Sequence, residues 1–188
     1  SATEVWEVID NTTRIHRATP RQLEILSREP ECLYFRNCVG APSATIYRNP
    51  IGQEYDTRMQ WYVDSDFYIR VLRQNPRFSF TGRPLICTPN GAEHQVTQVC
   101  LGNREVDLFE SVYLLGKLQP CTLKMDKLAL HLARLFARYE VTALTELELL
   151  GVTWPMPQKF FYAVLLASWW LRVRRRCSQY IGAALGKE

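Results

Sequence analysis

The segment WYVDSDFYIRVL, residues 61 to 72, sets Asp64 and Asp66 two positions apart inside an apolar, aromatic-rich run. A carboxylate among apolar neighbours is costly unless it is paired, hydrogen-bonded or used. Three uses are open. Either aspartate can sit at a helix start, where the unpaired backbone N–H groups and the dipole favour negative charge. Asp66 can pair with Arg70, one turn on. The third use is a general base, which requires a carboxylate beside a cleft, within hydrogen-bond reach of a hydroxyl and with a pKa near or below the working pH. The spacing alone does not separate the three. Trp61 and Tyr62 precede the acids. Aromatic rings at a cleft rim are good platforms for the C–H faces of sugars, and are equally at home in a core.

The elements that must position these residues are legible from pattern. Val63, Phe67 and Val71 recur at helical spacing, widened by Ile69 and Leu72, so residues 62 to 74 are predicted as a helix with both aspartates in its first turn. TEVWEV at 3 to 8 reads as a strand, DNTTR at 10 to 14 as a turn, and residues 19 to 30 as a helix with Thr19 as N-cap and Pro20 first. CLYFRNCVGAPSATIYR, 32 to 48, reads as two extended pieces joined at Gly-Ala-Pro, and residues 78 to 88 as a strand interrupted at Gly82-Arg83-Pro84. NGAEHQVTQ, 90 to 98, is a polar loop. Helices follow at 103 to 118 and 122 to 140, then a short one opened by a Thr145-x-x-Glu148 capping box, then a long one over 156 to 185. The expected class is α/β over residues 1–100, followed by an all-α extension over 101–188.

NCVGAPSATIYR, then WYVDSDFYIRVL, then FSFTGRPLI and the histidine-bearing loop resemble, in order and spacing, the inverting glycosyltransferases of family 2 with the GT-A fold, from about residue 36 to 98. The resemblance implies a partial GT-A, Rossmann-like mixed sheet. It also implies that Asp64 is the catalytic base that deprotonates an acceptor hydroxyl. Val63 stands where many members carry a Glu. Asp66 matches the second acid, structural or acceptor-binding, with Arg70 as its partner. Trp61 and Tyr62 would then face the acceptor. Gly40, Pro42 and Ser43 match the segment near the sugar-binding cleft, and on their own they read as a plain turn. His94 matches a loop histidine that ligates the metal or contacts the diphosphate. The family's cofactor is Mg²⁺ or Mn²⁺, its donor a nucleotide-sugar, and its acceptor a saccharide or lipid-linked saccharide. Bacterial surface polysaccharide or lipopolysaccharide synthesis is the expected setting. The family's donor-binding half, with its metal motif, has no counterpart in these residues. The chain is therefore expected to be the acceptor-side half, a transferase once completed from upstream and a non-catalytic binding or assembly module otherwise.

Composition narrows the remaining classes. An apolar share of 47% and a charged share of 22% belong to a globular chain. The excess charge is concentrated in Arg172, Arg174, Arg175 and Arg176 rather than spread over a face with stacking aromatics, which argues against nucleic acid. Six cysteines without a C-x-x-C pair read as reduced thiols of a cytoplasmic protein, and SATEVWEVID does not read as a secretory signal. FFYAVLLASWWL, 160 to 171, is too short to span a bilayer. With the arginines behind it, it suits a core helix, a peripheral contact at the inner face of the cell membrane through residues 156–185, or an interface in a homo-oligomer.

Overall fold

The computed structural model describes residues 1–48, 52–92, 100, 102–118 and 123–184, and the chain divides into two compact units, Ser1–Leu114 and Leu115–Glu188. The class is mixed α/β, with three strands and six α-helices among the described residues. From Arg104 onward the described elements are all helical.

In the first unit, β1 (Ala2–Glu7) lies between β2 (Thr12–His16), antiparallel to it, and β3 (Pro84–Asn90), parallel to it. The turn expected over 10–14 is shorter than that. Asn11 takes the left-handed conformation (φ 55°), and the β-branched run from Thr12 already pairs with Glu7. Asp10 fixes the turn by accepting from the backbone N–H and hydroxyl of Thr12 at 3.0 and 2.6 Å. Pro84 stands at the first position of β3, where a missing N–H costs the ladder least. Helix α1 (Pro20–Arg28) begins as expected. The Thr19 hydroxyl accepts from the Gln22 N–H at 3.2 Å, and Gln22 Oε1 accepts from the Thr19 N–H at 2.8 Å.

The segment 32–48 is not extended. It folds as two short 3₁₀ turns, Pro30–Tyr34 and Pro42–Ala44. Each opens on a proline, whose fixed φ favours such a turn, and Leu33 and Tyr34 are carried into the core. Between the turns Asn37 closes a loop on itself. Its Oδ1 accepts from the N–H groups of Val39 and Gly40, both at 3.0 Å, and its Nδ2 donates to the Gly40 carbonyl at 3.2 Å. Gly40 has φ +97°, and a Cβ there would lie 3.4 Å from His16 Nδ1, so only glycine fits without strain. Helix α2 (Val63–Gln74) packs on the Pro30–Tyr34 turn, and α3 (Arg104–Leu118) follows.

In the second unit, α4 (Met125–Arg138) packs against the long α6 (Gln158–Ala184), with the short α5 (Thr145–Leu149) between them in sequence. Leu128, Leu132, Phe136 and Phe161 are fully buried, and the Phe136 and Trp154 rings lie 5.7 and 5.2 Å from that of Phe161. Thr145 is not the cap of α5. Glu146 reaches back instead and accepts from the N–H groups of Thr142 and Ala143 at 2.7 and 3.1 Å. Gly151 (φ +82°) closes α5, with Val152 N–H bonded to the Leu147 carbonyl at 3.3 Å and Gly151 N–H to that of Glu148 at 2.9 Å.

Candidate functional site

A helix start exposes N–H groups with no partner within the helix. At the entry to α2 it is the three residues just before the first turn whose N–H groups are bonded, and the acceptor comes from α3. Glu110, only 2% exposed, accepts from the backbone N–H of Gln60, Trp61 and Tyr62 at 2.7, 2.9 and 2.7 Å. Such charge-assisted bonds are roughly twice as strong as neutral ones. They fix the chain where it turns into the helix. Glu110 thus sets a negative charge beside the helix start, and the Asp64 carboxylate makes no capping hydrogen bond there among the described residues.

Asp66 is also accounted for. It is 1% exposed, and its Oδ2 accepts from Arg70 Nε and Nη2 at 2.9 and 2.8 Å. Arg70 continues outward, donating to Gln53 Oε1 and, at 2.6 Å, to the Glu54 carbonyl. The pair ties α2 to the segment before it.

Asp64 is different. It is partly buried, and no hydrogen bond or ion pair reaches its carboxylate among the described residues. Burial pushes its pKa up to about 6. Its neighbourhood is phenolic. Tyr68, one turn on in α2, and Tyr55 lie close enough for the Asp64 charge to add to the upward shift that burial imposes on both phenols, that of Tyr55 to about 12. Tyr55 stacks on Phe67 at 4.3 Å, with Tyr47 on the same ring at 5.4 Å. The Tyr68 hydroxyl donates to the Gly40 carbonyl at 3.3 Å, which joins the Asp64 turn to the Gly40–Ser43 segment.

That segment borders an apolar cavity of about 480 Å³, lined among others by Ser43, Thr45, Tyr47, Phe67 and Tyr68. The volume falls in the range of small-molecule sites. Asp64 does not line the cavity itself; Tyr68 does, and lies within reach of the Asp64 charge. Pro42 begins the 3₁₀ turn, and the exposed Ser43 stands at the lip of the cavity. Trp61 and Tyr62 are held by their backbones to Glu110. The Tyr62 ring lies 6.3 Å from that of Tyr34, and its hydroxyl accepts from Ser111 Oγ at 3.2 Å, so it packs toward the interior. Asp64, Tyr68 and Gly40 are brought together. Asp66 and Arg70 form their own pair beside them. His94 and the loop at 93–98 lie outside the described residues.

The described residues do not assemble a centre for Mg²⁺ or Mn²⁺. No three His, Cys, Asp or Glu side chains converge among them, and in Asp64-Ser65-Asp66 the second carboxylate is taken by Arg70.

Glu110, Tyr55 and Tyr68 were missed in the sequence. Tyr68 carried a signal, since it stands at i+4 from Asp64 and shares its face. Glu110 carried a fainter one, an acid between Leu108 and Val112, both buried, in the helical stripe of α3. Tyr55 lies in an irregular segment whose pattern predicts no contact. Comparison of the chain with protein-family models, with curated proteins and with solved structures finds no match.

Proposed function

We propose that the first unit is the acceptor-side, base-carrying part of an inverting glycosyltransferase of family 2, with its mixed sheet part of a GT-A domain. The observation that carries this reading is the Asp64 carboxylate, desolvated and without a partner among the described residues, close to Tyr68 of the cavity lining, while Glu110 and Asp66 are both engaged. Desolvation without a partner is a cost to stability, and sites of chemistry are where such costs are met. Asp64 takes the proton of an acceptor saccharide hydroxyl. The freed oxygen attacks the anomeric carbon of the donor, and the bond from that carbon to the nucleoside diphosphate breaks, with the electron pair leaving on the diphosphate. With its pKa at about 6, the carboxylate is ionised at neutral pH and still basic enough to accept a proton. The nearby phenols Tyr55 and Tyr68, both held protonated, offer hydroxyls to orient the acceptor. The nucleotide-sugar and the divalent ion that accompanies its diphosphate are assigned to residues other than the described ones. Surface polysaccharide or lipopolysaccharide is the acceptor class that the resemblance favours.

The test is an array of bacterial oligosaccharides, followed by carbon-detected NMR of the Asp64 carboxyl with each binder. Saccharide binding that moves this resonance is the expected result, and once a donor-binding half is supplied, transfer from UDP- or GDP-sugars should fall about 10²–10⁴-fold in Asp64→Asn. Saccharide binding that leaves the Asp64 resonance in place, or no saccharide binding at all, overturns the assignment.

A further inference from the structure

Helix α6 is 27 residues long, about 40 Å, and has two apolar faces. Phe161, Val164 and Ser168 are buried on the side packed in the second unit. Tyr162, Leu166, Trp169, Trp170 and Val173 are each between 37% and 68% exposed. At ~100° per residue these five fall in one arc, turned away from the buried face. A contiguous exposed stripe of this kind marks an interaction surface. Its borders are cationic. On the same wheel Arg174 and Arg176 stand at its two edges, and the Arg174 guanidinium lies 5.4 Å over the Trp170 ring. Among the described residues Arg176 has one weak acidic neighbour, Glu140 of the same unit at 3.9 Å, with both side chains largely exposed. The helix contains Lys159, Arg172, Arg174, Arg175 and Arg176 and not one Asp or Glu.

We propose that this face of α6 lies on the surface of an anionic lipid bilayer. The stripe enters the interface, Trp169 and Trp170 sit at headgroup depth, and the arginines along its edges meet lipid phosphates. Charge complementarity selects this occupant. A second copy docked on the same face would bring arginines together with no carboxylate of α6 to meet them. A neutral protein groove would leave the cations uncompensated. An anionic leaflet satisfies both the apolar stripe and its basic border. Tryptophan is also the side chain enriched at membrane–water boundaries. The contact is peripheral, since no described helix is long and apolar enough to cross a membrane. It stands independently of the catalytic reading of Asp64.

The experiment is flotation of the full chain with vesicles of phosphatidylcholine, with and without phosphatidylglycerol, with tryptophan emission read in parallel. Binding to the anionic vesicles alone, with a blue shift, is expected. It should weaken between about 0.1 M and about 1 M salt as the screening length falls from ~10 to ~3 Å. Arg174→Ala with Arg176→Ala should lower affinity about 25-fold, roughly fivefold per cation near the surface. Trp169→Ser with Trp170→Ser should abolish binding while the circular dichroism spectrum stays unchanged, since both side chains are exposed. Absence of binding to anionic vesicles at low salt overturns the proposal, and so does equal binding to phosphatidylcholine alone. A dimer in sedimentation that the tryptophan variant converts to monomer, without vesicle binding by the parent chain, also overturns it and assigns the stripe to self-association.

Discussion

The two aspartates of the first turn of α2 share a helix, a segment and a chemistry, yet they have opposite fates. Around Asp66 every polar need is met. Two guanidinium nitrogens bind its oxygen, and the same arginine reaches on to Gln53 and Glu54. Around Asp64 burial is less complete, but no partner is supplied among the described residues, and burial raises its pKa. The difference lies in the tertiary contacts. Glu110 fastens the chain just before the helix through three backbone N–H groups, while the Asp64 carboxylate makes no bond of that kind among the described residues. What remains is a carboxylate kept at a cost, and such a cost points to use rather than support.

The largest effect should come from emptying the satisfied side. Asp66→Ala removes a fully buried carboxylate and leaves Arg70, 24% exposed, with neutral partners alone, which costs about 3–5 kcal/mol. Urea unfolding should show this as a lowered midpoint, with the slope unchanged if the transition stays two-state. A loss under about 1 kcal/mol would mean that Arg70 finds solvent or another partner easily, and the contrast between the two acids would weaken. Next comes Glu110→Gln. An amide keeps one carbonyl oxygen but turns an NH₂ group toward N–H donors, so it cannot serve all three backbone groups at 60 to 62. The expected loss is about 2–4 kcal/mol. Amide exchange at Trp61 and Tyr62 should accelerate more than exchange in the middle of α2. Uniform acceleration through the helix would show that Glu110 acts on global stability and not on the helix entry.

How much of this was legible in the sequence follows from the range of the interactions. Helix α2 and the Asp66–Arg70 pair are local, set by spacings of three and four, and they were readable. So were α1, with its Thr19–Gln22 capping box, and the helical run after residue 103. The turns at 30–34 and 42–44 were misread because their aromatic, β-branched composition imitates strands, while the prolines that open them and the Asn37 side chain decide the backbone. β2 was missed because the Asp10–Asn11 turn is tighter than the polar run around it suggests. At the site, Asp64 stood out by type and position. The Glu110 bonds just before it were not legible, because Glu110 lies 46 residues further along the chain than Asp64 and no spacing rule joins them.

The smallest and sharpest effect concerns Asp64 itself, and it has the opposite sign. A carboxylate whose pKa rises from 3.8 to about 6 on folding is protonated more in the folded chain than in the unfolded one across that interval. The folded state therefore binds more protons there, and stability falls as pH rises from about 4 to about 6, then levels off. With solvent screening discounted at this partly open position, the fall is about 1 kcal/mol. Asp64→Asn removes the titration. It should leave stability unchanged near pH 3 and raise it by about 1 kcal/mol at pH 7, measured by urea unfolding of both proteins at the two values. If Asp64 served the helix start as a cap, the same substitution would lower stability at pH 7, because the dipole would lose a charge that it favours. The sign of that one difference decides whether the carboxylate holds the fold together or is held by it.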